Sequence, residues 1–304
     1  AATTELTHIG VRMVDIHQLA RDFTGAASSE PPDLARAALL IGRLEYPRLD
    51  PEAYLSRLDR LGEEARQRLD GVTETADQFE QLAGYLFQDQ GFTGNRDDYE
   101  DPRNSCLHHV LERRTGIPVT LALVFLEVAR RAGVDAAGVG FPGRFLVRST
   151  ADPKGRSRIP LIIDPFDGGR RLNESDCREL LRQHLGDDAE FDLRLLDAAS
   201  PRQMLVRVLG NLKRMYVRLR SFPQARGVTE LLLAVNPAGV ADLRDRGLLA
   251  YHMRDFSGAL RDLEAYLHIT GRPGGRDAPS EHQEEHAQIW EHIKMLRRRV
   301  ASLN

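Results

Sequence analysis

The sequence predicts a helix-rich α+β domain with a small antiparallel sheet, followed by an all-α tail built from repeated helices. Three segments carry that reading. Residues 118–132 form an apolar stretch opened by Pro118 and closed by Gly133, the pattern of a helix buried on several sides. Residues 137–164 then break into short strand-like runs, and residues 205–267 repeat at a spacing of 34. With 304 residues the chain is long enough for two cores, and the expected division is 1–200 and 201–304.

The first hundred residues predict helices. Pro31-Pro32-Asp33 opens one that runs through Leu34 to Ile41. Asp50-Pro51-Glu52 is a stronger start, with a capping carboxylate, a proline in the first turn and an acid behind it. Beyond it Tyr54, Leu55, Leu58, Leu61, Ala65 and Leu69 recur at helical spacing, so one face is apolar. Another helix is expected over 75–87, and the Gly, Asp and Pro content of 91–102 marks a surface loop. A helix from Ser105 to Arg114 should stop near Gly116, just before the buried helix 118–132. Strands are expected at 137–140, 144–148 and 158–164, with Asp152–Gly155 turning between the second and third. Asn173-Glu-Ser-Asp176 starts a further helix.

In the tail, Leu209, Ala225 and Phe222-Pro223 have counterparts at Leu243, Ala259 and Phe256-Ser257. This spacing is the period of the helix–turn–helix TPR unit. Ala225 and Ala259 are small where paired helices would approach, Tyr216 would fill an inter-helix position, and Pro237 ends the first unit. The second unit has Gly271 where a proline is expected, Gly271–Gly275 breaks the chain, and Ser280-Glu-His-Gln283 starts a final helix. Helices are thus expected at 203–219, 222–235, 239–252, 256–269 and 281–301. Two repeats cannot form a free solenoid, so they should dock on the first domain and be capped by the last helix.

Composition narrows the function classes. Charged residues are 29% and hydrophobic residues 41%, with a net charge of −3, an ordinary globular balance. It supplies no electrostatic reason to expect nucleic acid or a membrane, and Arg297–Arg299 has the pattern of a solvated helix end. Only two cysteines occur, Cys106 and Cys177, so a reduced cytoplasmic protein without a disulfide framework is expected. The apolar run Val119–Val128 contains Glu127 and is too short to span a bilayer, and the opening residues, without a charged-then-apolar pattern, are not expected to act as a signal peptide.

The segments Asn104–Ala122, Gly138–Arg148 and Ile163–Gly169, together with Leu44-Glu-Tyr-Pro47 and Leu49–Glu52, resemble the bacterial SirB-type transglutaminase-like family. The resemblance covers most of 35–270, including the TPR tail, and rests on the order and spacing of the motifs. It implies a papain-like fold with a Cys–His–Asp arrangement. The cysteine belongs at the start of the buried helix, where the helix N-terminus stabilises a thiolate. The base and its orienting carboxylate belong on the two following strands. On this sequence those positions fall at Pro118, Arg144 and Asp164. Proline has no nucleophile, and a guanidinium cannot take a proton at neutral pH. By the resemblance, most SirB-type relatives lack the cysteine and many keep the histidine, so this chain departs further than they do.

Other residues are candidates for the missing chemistry. Cys106 beside His108 or His109 is a candidate relocated nucleophile, against the commoner role of an inert buried cysteine. Thr120 is a weaker candidate, against a role in finishing the helix N-terminus. Arg144 opposite Asp164 suggests a bidentate ion pair in place of His–Asp. His282-Gln-Glu-Glu-His286 matches a zinc pattern, but a solvated face suits its polar surroundings better. Adjacent His108 and His109 should not point the same way on a helix. The expectation is therefore a non-catalytic protein- or peptide-binding scaffold or regulator, without cofactor, metal, nucleic acid or membrane. The alternatives are a hydrolase or acyltransferase using Cys106, and a small-anion sensor using Arg144 in the remnant cleft.

Overall fold

The computed structural model describes residues 14–150, 159–270 and 280–301. Helix α1, Ile16–Ala27, opens on Asp15, whose carboxylate accepts the amides of His17 and Gln18. It was not among the predicted elements, although Leu19, Phe23 and Ala26 fall at helical spacing and are buried. Helices α2, Leu34–Gly42, and α3, Pro51–Arg68, start as expected on the caps Asp33 and Asp50. Helix α4, Thr75–Gly84, ends earlier than predicted. The chain passes into a π-turn over Tyr85–Asp89, which points Tyr85, Leu86 and Phe87 into the core.

The predicted surface loop is partly structured. Strand β1, Thr93–Gly94, pairs in parallel with β2, Thr115–Gly116, and Phe92 beside it is buried. A 3₁₀ turn over Pro102–Ser105 precedes α5, Leu107–Arg113, so the expected helix from Ser105 begins later. Helix α6, Pro118–Ala132, matches its predicted bounds, and Gly133 ends it at φ 78°, a conformation that disfavours a side chain. Every residue from Pro118 to Phe125 is buried. Helix α3 lies so close that a Cβ at Gly62 would sit 2.3 Å from Cβ of Arg131.

Four strands form an antiparallel meander in sequence order: β3, Ala136–Val139; β4, Leu146–Ser149; β5, Ile162–Asp164; and β6, Arg170–Leu172. The sequence predicted three. Strand β6 is Arg-Arg-Leu, with no apolar alternation to reveal it, and only its pairing with β5 defines it. The predicted turn Asp152–Gly155 lies outside the described residues. Alternation divides the sheet: Phe145, Val147 and Ile163 join the core around α6. Leu146, Ile162 and Leu172 pack with Cys177 and Leu181 of α7, Glu174–Leu185. The sheet therefore lies between two helical layers.

The tail contains α8, Pro201–Arg218; α9, Phe222–Val235; α10, Val240–His252; α11, Phe256–Thr270; and α12, Ser280–Ala301. Each expected boundary lies within about two residues of the observed one. Ala225 and Ala259 are fully buried and Tyr216 nearly so, as the repeat requires. Leu205, Leu209, Tyr216 and Val228 belong to the same buried cluster as Phe23, Leu39 and Phe125, so α8 and α9 dock on the first part of the chain. A separate cluster of Ala250, Ala259, Leu263, Tyr266, Ile289 and Ile293 joins α10 and α11 to the capping helix α12. The predicted break at Gly271–Gly275 and the side chains of 280–283 lie outside the described residues. The basic end of α12 is exposed as expected: Arg297, Arg298 and Arg299 all face solvent, with Arg297 paired to Glu264 at 2.8 Å and Arg299 lying 4.8 Å from the centre of the Phe256 ring.

Candidate functional site

The expected site positions lie at the N-terminus of α6, in the turn before β4 and at the end of β5. Pro118 fills the first helical position and is buried. Thr120 makes one half of a capping box, since the Ile117 side chain has no acceptor: its hydroxyl accepts the Ile117 amide at 3.1 Å and donates to the Asn104 carbonyl at 2.8 Å. Both bonds are buried, so this hydroxyl ties α6 to the 102–105 turn.

Arg144 follows the tight turn at Gly143, φ 69°, and its amide donates to the Phe141 carbonyl at 3.1 Å. Its Nε stands 3.5 Å from Oδ2 of Asp164, whose side chain is buried. The two residues face each other as expected, but the two parallel hydrogen bonds of that expectation are not formed. Asp164 turns its other oxygen to the Phe166 amide at 2.9 Å, capping the 3₁₀ turn Pro165–Asp167. The Arg144 guanidinium lies 5.5 Å from the centre of the Phe166 ring, and its Nε has no hydrogen-bond partner. Burial raises the Asp164 carboxyl above its ordinary value, and the nearby Arg144 charge opposes that rise.

Phe166 organises the rest of the surface, and the sequence reading missed it. The Arg96 guanidinium lies 5.4 Å from its ring centre and pairs with Asp167 at 2.6 Å. Tyr99 meets the same ring edge-on at 5.8 Å. Arg96 and Tyr99 come from the 91–102 loop, where composition marks a turn but says nothing about which ring the loop covers.

Cys106 occupies the N-cap of α5 and is buried. Burial, followed by the charges of Glu45 and Asp101, pushes its thiol up to about 12. Among the described residues no hydrogen bond joins it to a histidine. His108 is buried against Tyr46 at 4.9 Å and Tyr54 at 5.7 Å, with neither ring nitrogen hydrogen-bonded. Burial and then His109 lower its pKa from 6.5 to about 4. This thiol and imidazole therefore favour their neutral forms, unlike the thiolate–imidazolium pair of a cysteine hydrolase. The two histidine rings do meet, with centres 4.1 Å apart, contrary to the sequence expectation. The Tyr46 ring packs edge-on against both and holds them together.

His286 packs edge-on to Tyr266, while the His282 side chain lies outside the described residues. Among the described residues no group of three or more His, Cys, Asp or Glu is placed to hold a metal ion. No helix among them is long and apolar enough to cross a membrane.

A family model described as the transglutaminase-like superfamily matches residues 52–210, and one described as a tetratricopeptide repeat matches 212–298. A UPF0162 protein of Xylella fastidiosa is 40% identical over 239 residues, covering 78% of this chain and 83% of that protein. Protein SirB1 of Salmonella typhimurium is 28% identical over 225 residues, covering 74% and 81%. Human F-box only protein 21 is 32% identical over 207 residues, covering 64% of this chain and 32% of that longer protein. With its α6 helix under a small sheet and its repeated tail helices, the chain belongs to the transglutaminase-like superfamily, in the group of the UPF0162 and SirB1 proteins, and carries a C-terminal tetratricopeptide repeat.

Proposed function

We propose that this protein is a non-catalytic scaffold that binds a protein or peptide in the cytoplasm. One observation carries the reading: the helix N-terminus that would present a nucleophile holds a buried proline, while an arginine, not a base, faces the carboxylate. The relocated alternative is disfavoured because the Cys106 thiol is buried, titrates near 12 and has no histidine hydrogen-bonded to it. The cleft-bearing part and the repeat tail, divided near residue 200, would act together through their shared core. The test is turnover of amide, ester and glutamine-transfer substrates by the purified chain and its Cys106→Ala variant. No turnover is expected from either. Turnover that disappears in Cys106→Ala would establish the hydrolase instead.

A further inference from the structure

Helix α8 presents three exposed arginines, Arg207, Arg214 and Arg218, at spacings of seven and four residues. These spacings place all three on one face, over about 16 Å of helix. Arg218 pairs with Glu100 at 2.7 Å, and Arg214 bonds the side chain of Asn211. Arg207 has no ion-pair partner among the described residues.

The row continues towards the remnant cleft. Helix α8 packs under the 102–105 turn, where the Ser105 hydroxyl lies 3.7 Å from the Met215 sulfur. The loop leading into that turn carries Arg96, Tyr99 and Glu100. Tyr99 and Arg96 meet the Phe166 ring, and Arg144 lies on the same ring with its Nε unpartnered. Arg207, Arg214 and Arg144 all act on the Tyr99 hydroxyl, favouring its ionised form against the burial that raises its pKa. Four guanidinia, those of Arg96, Arg144, Arg207 and Arg214, thus act on the Phe166–Tyr99 pair, and Arg218 extends the row at Glu100.

We propose that this face, Arg207, Arg214 and Arg218 with Arg144 and Arg96 beside Phe166, docks an acidic peptide segment of a partner protein. The proposal rests on the binding-scaffold reading and names the chemistry of its partner. Guanidinium groups suit carboxylates, with planar geometry and several donors each. The elongated row suits a chain of carboxylates, because alternate side chains of an extended peptide stand about 6.6 Å apart on one side. Glu100 already places one carboxylate on the row, in an exposed pair weak enough for a partner to exchange.

The experiment is fluorescence anisotropy of the full chain with a labelled oligoglutamate long enough to span the row, beside an oligoglutamine of equal length. Saturable binding of the acidic peptide alone is expected, weakening as salt is added. Arg207→Gln with Arg214→Gln should weaken it about tenfold or more. Arg60→Gln with Arg66→Gln, which removes the same charge from α3, should leave it unchanged; thermal melts establish that both variants fold. Equal loss in the two double variants, or no loss in the first, overturns the proposal. So does displacement by inorganic phosphate at matched ionic strength, or tighter binding of a single-stranded oligonucleotide. The mass of the recovered peptide separates the two claims. An intact peptide leaves the non-catalytic reading standing whether or not the arginine row binds it, and a cleaved peptide refutes that reading even if docking occurs as stated.

Discussion

Arg144 carries a permanent charge beside a buried carboxylate. At 3.5 Å it offsets part of the burial cost of Asp164, while its stem and guanidinium cover Phe166. Arg144→Met is therefore expected to destabilise the fold by about 1–2 kcal/mol, by leaving a buried carboxylate without its cation. Asp164→Asn should cost less, because an amide oxygen can still accept the Phe166 amide. The double variant should cost less than the sum of the two, by about 1 kcal/mol, in urea unfolding. Strict additivity would show that the two side chains do not interact. Pro118, Thr120 and this pair were legible from motif spacing. The role of Phe166 was not, because a phenylalanine after Asp-Pro carries no mark of the three side chains that gather on it.

At the scale of elements, the repeat makes the sharpest claim. Ala225 and Ala259 are fully buried where helices pair, and at Gly247 an added Cβ would lie 2.8 Å from the Leu263 side chain. Ala225→Leu or Ala259→Leu should overpack those contacts and cost about 1–3 kcal/mol, measured by chemical denaturation. A change near zero at both positions would contradict the packing. Helix bounds were legible where caps and apolar faces agree, as in α3, α6 and α8. Helix α1 had a legible face at Leu19, Phe23 and Ala26 that the sequence reading passed over. The π-turn after α4 and strand β6 are different. The first is set by the core that Phe87 enters, and the second by a hydrogen-bonding partner distant from any local pattern.

Across the whole molecule, acid should act through a buried histidine of α5. His108 has an ordinary pKa of 6.5 when unfolded and about 4 when folded, in contact with His109, Tyr46 and Tyr54. Between those values the unfolded chain binds more protons, so stability rises with pH through the window. The contribution is complete above pH 6.5 and is lost as pH falls towards 4, a span of roughly 3 kcal/mol. Glu112, held low by the Tyr54 hydroxyl, adds loss in the same direction at lower pH, whereas burial-raised Asp164 runs the opposite way. Unfolding free energies measured from about pH 7 to 4.5 should show this slope, and His108→Phe should flatten it. An unchanged slope in that variant would assign the acid sensitivity to other groups.

By itself the sequence determined most of the helices, the buried helix 118–132, the 34-residue repeat and the presence at 118 and 144 of a proline and an arginine, neither of which is a nucleophile or a base. These are local matters: periodicity, caps and residue identity act within a few positions along the chain. Only the tertiary structure decided that Asp164 answers to a turn amide as much as to Arg144, that Cys106 is hydrogen-bonded to no histidine among the described residues, and that α8 brings its arginines towards Tyr99. Those outcomes depend on groups tens of residues apart competing for the same few ångströms. Burial, not sequence spacing, sets which of them remain charged.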